Sequence, residues 1–263
     1  MSIDLDAVLR CACEAARTAG EVVAPRLGRP GIIKDKASGP VTDCDIQAED
    51  SALAVIHRAF PGHGILSEEK GSAGSGPVRW VIDPLDGTIN FIRGIPWYAV
   101  SVAFEVGGRV EVGVVYAPSL DFLFTAVRGQ GAHLNGRTIQ VSNVRTLAGS
   151  LVDIGFRQED WTDSGKVACI SRLAATGAVI RSLNACALDL AFVAAGWLEG
   201  YWDVHTAPWD VAAGALLVTE AGGRVAIRAK ATAKDSAAVL LASNAHVGDL
   251  LRDILDGRRR NPT

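Results

Sequence analysis

The stretch Trp80-Val81-Ile82-Asp83-Pro84-Leu85-Asp86-Gly87-Thr88 changes character within a few residues. An apolar, strand-like run, 78–82, meets a carboxylate, a proline, a second carboxylate and a glycine. Pro84 cannot donate to a ladder and forces the chain out of the sheet, while Gly87 permits a tight turn. Asp83 and Asp86 then face one point at the sheet's edge, where two anions repel unless a cation sits between them. Taken alone, the stretch reads equally well as a hairpin turn with incidental acids, because Asp-Gly is a common turn pair.

Working outward, the C-terminal side keeps a period of two. Runs 99–106, 109–116 and 122–127 read as strands, separated by Gly107-Gly108, Pro118-Ser119-Leu120-Asp121 and later Asn135-Gly136. With 78–82 they predict an antiparallel meander. On the N-terminal side, Leu5, Leu9, Ala12, Ala16, Ala19 and Val23 recur at helical spacing. A Gly/Pro/Lys segment, 28–40, reads as a mobile loop whose Lys34 and Lys36 are solvated. A second helix starts at Asp43-Cys44-Asp45 and ends at Pro61-Gly62. The glycine-rich 71–76 segment reads as a flexible connector; its glycines lack the strand–helix setting of a nucleotide loop. Beyond 145 the types alternate: helix 163–176, strand 179–183, helix 187–195, strand 201–204, helix 209–221, strands 224–227 and 239–242, and helix 247–255. Arg258-Arg259-Arg260 reads as a solvated tail. The reading is therefore α+β: an N-terminal α+β unit, 1–144, and a C-terminal α/β unit, 145–263, sharing one layered core.

Composition narrows the function. The 263 residues carry 26 Lys+Arg and 29 Asp+Glu, a net charge of −3, with 49% hydrophobic and 21% charged residues. That balance is too apolar for disorder and not basic enough for direct nucleic-acid binding. No apolar run reaches the ~18 residues of a membrane span. The start, Met1-Ser2-Ile3-Asp4-Leu5-Asp6, carries acids where a secretory signal carries Lys or Arg, so a cytoplasmic chain is expected. Five scattered cysteines and five scattered histidines give neither a disulfide framework nor a zinc spacing. Any metal here must be held by oxygen.

Further carboxylates stand at other element ends. Ser67-Glu68-Glu69 follows apolar Ile65-Leu66, Pro208-Trp209-Asp210 opens an apolar helix, and Asp45 heads the second helix. Each has an ordinary explanation: an exposed acidic loop for the first, the helix dipole for the other two. Four separated acidic positions at element ends, with no matching His or Cys cluster, instead suit Mg²⁺ or Mn²⁺ rather than Zn²⁺.

These residues resemble the inositol monophosphatase family, the Mg²⁺-dependent, lithium-sensitive phosphatases, and within it the bacterial extragenic-suppressor type. The family pattern is an Asp, then Glu-Glu, then Asp-Pro-(Ile/Leu)-Asp-Gly-Thr, then Trp-Asp on a helix ending Glu-Ala-Gly-Gly. Here these stand as Asp45, Glu68-Glu69, Asp83 to Thr88, Trp209-Asp210 and Glu220-Ala221-Gly222-Gly223, over roughly residues 20 to 225. The resemblance implies a layered α-β-α-β-α sandwich, the sugar phosphatase fold, with an N-terminal antiparallel and a C-terminal mixed sheet. It implies that Glu68, Asp83 and the Leu85 carbonyl hold a first Mg²⁺, and Asp83, Asp86 and Asp210 a second, with two or three ions in all and Mn²⁺ a substitute. It implies that Glu68 and Thr88 activate the attacking water, with Asp45 bonded to Thr88, and that the Gly87 and Thr88 N–H groups cradle phosphate. A homodimer acting on a small-molecule phosphate ester follows from the same resemblance.

The substrate side departs from the pattern. Inositol-type members carry Gly-Ser/Thr-Ala after the strand equivalent to Ile180-Arg181-Ser182-Leu183, and a Glu about seven residues before the Trp-Asp aspartate. This chain has Asn184-Ala185-Cys186 and Asp203. The ring-facing set implied is Asp86, Asn184, Ala185, Cys186, Asp203 and Asp210. A lost polar contact shifts discrimination by orders of magnitude. The expected substrate is a polyol or sugar phosphate, most simply myo-inositol-1-phosphate; histidinol phosphate, fructose 1,6-bisphosphate and NADP are the alternatives. Thr88-Ile89-Asn90-Phe91 argues against the phosphoadenosine-phosphatase branch. A different class, a regulatory protein binding the transcription machinery, also belongs to the suppressor type.

Overall fold

The computed structural model describes residues 3–36, 39–229 and 238–258. Helix α1 (Leu5–Val23) starts where Asp4 Oδ1 accepts from the N–H groups of Asp6 and Ala7, at 3.1 and 3.0 Å. Strands β1 (Ile33–Lys36) and β2 (Gly39–Thr42) pair antiparallel and lead into α2 (Asp43–Ala59). Then come β3 (Gly64–Ser67), β4 (Gly71–Ala73), β5 (Val78–Asp86), the short helix α3 (Thr88–Ile92), β6 (Ala99–Val106), β7 (Arg109–Ala117), β8 (Phe122–Val127), β9 (Ala132–Leu134) and β10 (Arg137–Ile139). The C-terminal part holds β11 (Leu151–Gly155), α4 (Ser164–Ala174), β12 (Val179–Arg181), α5 (Cys186–Ala194), β13 (Gly200–Thr206), α6 (Pro208–Glu220), β14 (Arg224–Ala229), β15 (Ala238–Ser243) and α7 (Gly248–Leu255).

Two mixed sheets alternate with three helical layers. The first runs β10-β9-β8-β7-β6-β5-β3-β4, and the second β12-β11-β13-β15-β14. Helices α1 and α2 cover one face of the first sheet through Ala12, Ala16, Ala48 and Ile56, packed on Trp80, Phe104 and Val114. Helices α5 and α6 fill the space between the sheets, with Leu188, Leu190, Leu216 and Leu217 against Val81, Phe124, Tyr201 and Leu240. A helix pressed between two sheets needs apolar residues on nearly every face, which is why neither shows a polar stripe. Helices α4 and α7 close the far side over Ile154, Trp202 and Leu241.

The layered α-β-α-β-α architecture is the one expected, with four local corrections. The N-terminal sheet is not wholly antiparallel, because β3 pairs parallel with β5. The 28–40 segment holds β1 and the start of β2, which pair antiparallel, and the expected connector 71–76 begins with β4, paired to β3 from Ile65↔Ala73 to Ser67↔Gly71. Pro84 does not take the chain out of the sheet. The register shifts between Asp83↔Ser101 and Asp86↔Ala99, so the strand bulges around the proline and re-pairs. A bulge absorbs a residue that cannot donate. Lys34 is exposed. The Lys36 side chain, Arg259 and Arg260 lie outside the described residues, while Arg258 pairs with Asp256 at 3.2 Å. Each sheet is built from one side of residue 145, and on that basis we propose 1–144 and 145–263 as the two subdomains.

Candidate functional site

The bulge in β5 places the first acids. Asp83 is 2% exposed and Asp86 is 7% exposed. Asp83 Oδ1 accepts the Leu85 N–H at 3.0 Å, fixing the turn that presents the Leu85 carbonyl. Gly87 follows at φ 87°, a left-handed conformation that caps α3 and suits glycine. A Cβ there would stand 2.9 Å from the Trp97 carbonyl oxygen and 3.1 Å from the Ala185 Cβ.

Three other stretches reach this point. Glu68 stands just past β3, its N–H donating to the Ile82 carbonyl at 3.2 Å, which sets it beside the end of β5. Asp210 is the third residue of α6, Oδ2 reaching back to accept the N–H of Ala207, the residue before the helix, at 2.6 Å. Asp45 closes a capping box at α2, Oδ2 accepting the Thr42 N–H and hydroxyl at 2.8 and 2.6 Å. Its Oδ1 accepts from the Thr88 hydroxyl at 3.2 Å, and the Leu85 carbonyl lies 3.0 Å from the same hydroxyl. Thr88 has one proton for these two acceptors.

The acids feel one another strongly. Burial, then the charges of Glu68, Asp86 and Asp210, push the Asp83 carboxyl well above the usual carboxylate range. Burial lifts Asp86 to about 7, against N–H donors at Leu188, Ala187 and Cys186. Burial also lifts Asp210 to about 7, against the Ala207 N–H and with the Asp86 charge adding to the rise. Among the described residues no three His, Cys, Asp or Glu side chains already form a metal cage. The acids converge without closing. Buried carboxylates of one sign, with a backbone carbonyl beside them, are the donor set of a hard divalent cation. The residues present fit Mg²⁺ or Mn²⁺.

The ring-facing set is less uniform. Ala185 is fully buried against Gly87, and Cys186 is 8% exposed at the start of α5, its thiol pushed well above its usual value by burial. Asn184 is exposed at φ 57°. Both oxygens of Asp203 face their own strand: Oδ2 accepts the Tyr201 hydroxyl at 2.9 Å and Oδ1 the His205 N–H at 2.7 Å.

Several site-building residues went unread in the sequence. Glu49, one turn after Asp45 on α2, is fully buried and accepts from the Ser67 hydroxyl at 2.9 Å and from the Glu69 and Lys70 N–H groups at 2.9 and 3.1 Å, fixing the Glu68 loop. Asn90 Nδ2 donates to the Trp97 and Leu183 carbonyls at 2.9 and 2.8 Å. Asp153 and Asp189 hold the 183–185 segment, accepting from the Leu183 and Ala185 N–H groups. Each of the two acids stands alone in an apolar run, and that was the available signal.

The model of the inositol monophosphatase family matches residues 4–255. The chain is 41% identical over 227 residues to the Nus factor SuhB of Pasteurella multocida, covering 84% of this chain and 85% of that one. It is 43% identical over 229 residues to the Nus factor SuhB of Pseudomonas aeruginosa, at 83% and 84% coverage. Among solved structures, extragenic suppressor protein suhB of Bartonella henselae superposes with TM-score 0.88 at 34% identity, over 95% of this chain and 98% of that one. The inositol monophosphatase of Anabaena superposes with TM-score 0.85 at 36% identity, over 98% of each. The chain is a member of the inositol monophosphatase family.

Proposed function

We propose that this chain is a Mg²⁺-dependent phosphomonoesterase of the cytoplasm, a homodimer acting on a polyol or sugar phosphate, most simply myo-inositol-1-phosphate. The observation carrying the reading is the buried Asp83 carboxyl, driven up by burial and by Asp86 of the same strand and Glu68 and Asp210 from separate stretches, beside the left-handed Gly87 turn. Glu68, Asp83 and the Leu85 carbonyl would hold one ion, and Asp83, Asp86 and Asp210 another. Bound divalent ions neutralise an ester dianion, lower the pKa of water and stabilise the leaving alkoxide.

The remaining steps belong to the chain. The Gly87 and Thr88 N–H groups, at the start of α3, orient the phosphate oxygens. Thr88 donates its hydroxyl proton toward Asp45 Oδ1, which leaves its lone pairs free to accept a hydrogen bond from the attacking water, with Glu68 as the other acceptor for that water. Asp45 stays fixed during this step because Thr42 holds its other oxygen. Asn184, Ala185, Cys186, Asp203 and Asp210 line the direction of the alcohol. Of these, Asn184 is the exposed one, so it is offered as the ring contact.

The test is phosphate release from myo-inositol-1-phosphate, histidinol phosphate, fructose 1,6-bisphosphate and NADP, with and without Mg²⁺, using Asp83→Asn as control. Mg²⁺-dependent release that Asp83→Asn abolishes and millimolar Li⁺ inhibits supports the proposal. Equal background rates for wild type and variant across the panel overturn it. That outcome favours a second reading, which the names of the curated Nus factor relatives support: a binding protein of the transcription machinery. Retention of partner binding by Asp83→Asn would assign that role to a surface separate from the acids.

A further inference from the structure

Behind the segment 183–188 lie two more buried acids. Asp153, in the middle of β11, and Asp189, in the first turn of α5, are both fully buried and lie within reach of each other. Two buried carboxyl groups this close share a proton, and their other partners show which oxygen lacks another donor. Asp189 Oδ1 accepts the Trp97 Nε1–H at 2.8 Å and Oδ2 the Ala185 N–H at 3.0 Å. Both of its oxygens therefore act as acceptors. Asp153 Oδ1 accepts the Leu183 N–H at 3.1 Å, whereas no donor among the described residues reaches Oδ2. Asp153 Oδ2 is thus the one oxygen of the pair with no N–H donor, and the proton the two acids share lies between it and Asp189.

The pair grips the segment that faces the candidate site. Leu183 and Ala185 hang from the two carboxyls through their N–H groups, with the Leu183 carbonyl tied to Asn90 Nδ2 at 2.8 Å. Between them Asn184 is held at φ 57°, a conformation that costs energy for a side-chain-bearing residue and needs outside support. Directly after it, the N–H groups of Cys186, Ala187 and Leu188 bond Asp86, Leu188 at 3.2 Å. One short segment thus joins the acid pair to Asp86.

We propose that Asp153 and Asp189 are positioning residues: a proton-sharing pair of buried carboxyls that fixes segment 183–188 so that the first turn of α5 aims its N–H groups at Asp86. The two acids are not interchangeable. An amide at 153 keeps Oδ1 for the Leu183 N–H and turns an NH₂ donor toward Asp189. An amide at 189 turns an NH₂ toward either the Trp97 or the Ala185 N–H, whichever way it faces.

The experiment compares Asp153→Asn with Asp189→Asn by amide hydrogen exchange across 183–188 in the metal-free protein, and by Mn²⁺ titration. Asp153→Asn is expected to keep exchange and Mn²⁺ affinity within about twofold of wild type. Asp189→Asn is expected to speed exchange and weaken Mn²⁺ by about 10-fold or more, the usual effect of disturbing the groups that orient a metal ligand. Equal effects, reversed effects, or a folded Asp189→Asn with native exchange overturn the proposal. Should Asp189→Asn fail to fold, Trp97→Phe removes one donor to Asp189 and keeps an aromatic ring; faster exchange at 185–188 supports the proposal, and unchanged exchange overturns it. The metal half rests on the phosphatase reading: wild-type protein that binds no Mn²⁺ overturns that reading and this half together, while the exchange comparison still decides the positioning half.

Discussion

At the scale of single residues the candidate site sets charge against stability. Asp83 is buried among Glu68, Asp86 and Asp210, and burial with their repulsion raises its proton affinity. Asp83→Asn removes this ionisable, crowded carboxyl at nearly constant shape. We expect phosphate release to fall to background while the metal-free protein gains about 1 kcal/mol, read as a Tm rise of about 2–4 °C in a chain of this size. Mg²⁺ should raise the wild-type Tm and leave the variant's unchanged. A lower Tm for the variant would mean that Asp83 contributes bonding that its repulsion does not outweigh. Asp203 poses a question of selectivity. Its carboxylate is turned to Tyr201 and His205, one methylene short of the family's Glu. Asp203→Glu should raise turnover of myo-inositol-1-phosphate relative to the other esters; an unchanged ratio would locate ring selection elsewhere.

At the scale of elements, acids at the ends of strands and helices were legible because chemistry and local structure agreed there. Asp45 and Asp210 cap helices, and the glycine after Asp86 permits the turn. The bulge at Pro84 was not legible, because whether a proline ends a strand or is bypassed depends on the neighbouring strand, here Ala99 to Ser101. The short strands β4, β9, β10 and β11 were missed for the same reason: their pairing is nonlocal and their own patterns are too brief. A second element-scale feature is the helical turn 158–162, which buries Asp160 beside β13. Burial alone would raise this carboxyl, but His205 Nε2 at 2.8 Å, Lys166 and the Arg157 N–H at 2.7 Å hold it at about 2. The folded value lies below the unfolded one near ~3.9, so the unfolded chain binds more protons in this window. The stabilisation is present above about pH 4 and is lost as pH falls toward 2. Denaturant midpoints between pH 2 and 5 should therefore slope less steeply in Asp160→Asn than in wild type; parallel slopes would remove Asp160 from the acid response.

At the scale of the molecule, the layers must keep their spacing for the acids of the first sheet and of α6 to meet. Glu68, Asp83 and Asp86 ride on the first sheet, whereas Asp210 arrives on α6, so the seam between β7 and α6 sets their separation. That seam is tight. A Cβ on Gly113 would lie 2.8 Å from the Ala213 carbonyl oxygen and 3.0 Å from its Cα, backbone atoms that cannot swing aside. The start of α6 is tied to the same sheet where the Ser101 hydroxyl donates to the Trp209 carbonyl at 3.3 Å. Gly113→Val is expected to cost about 1–3 kcal/mol, as overpacked cores do. If the helix yields by moving outward it carries Asp210 with it. Displacements near 1 Å at such sites cost on the order of 10²-fold in rate, so Mg²⁺-dependent phosphate release should fall by more than the folded fraction does. Thermal melts paired with rates per folded molecule check this. A variant that melts lower but keeps its full rate per folded molecule would show that the acids are held by the Ser101 tie and their own caps rather than by the spacing of the layers.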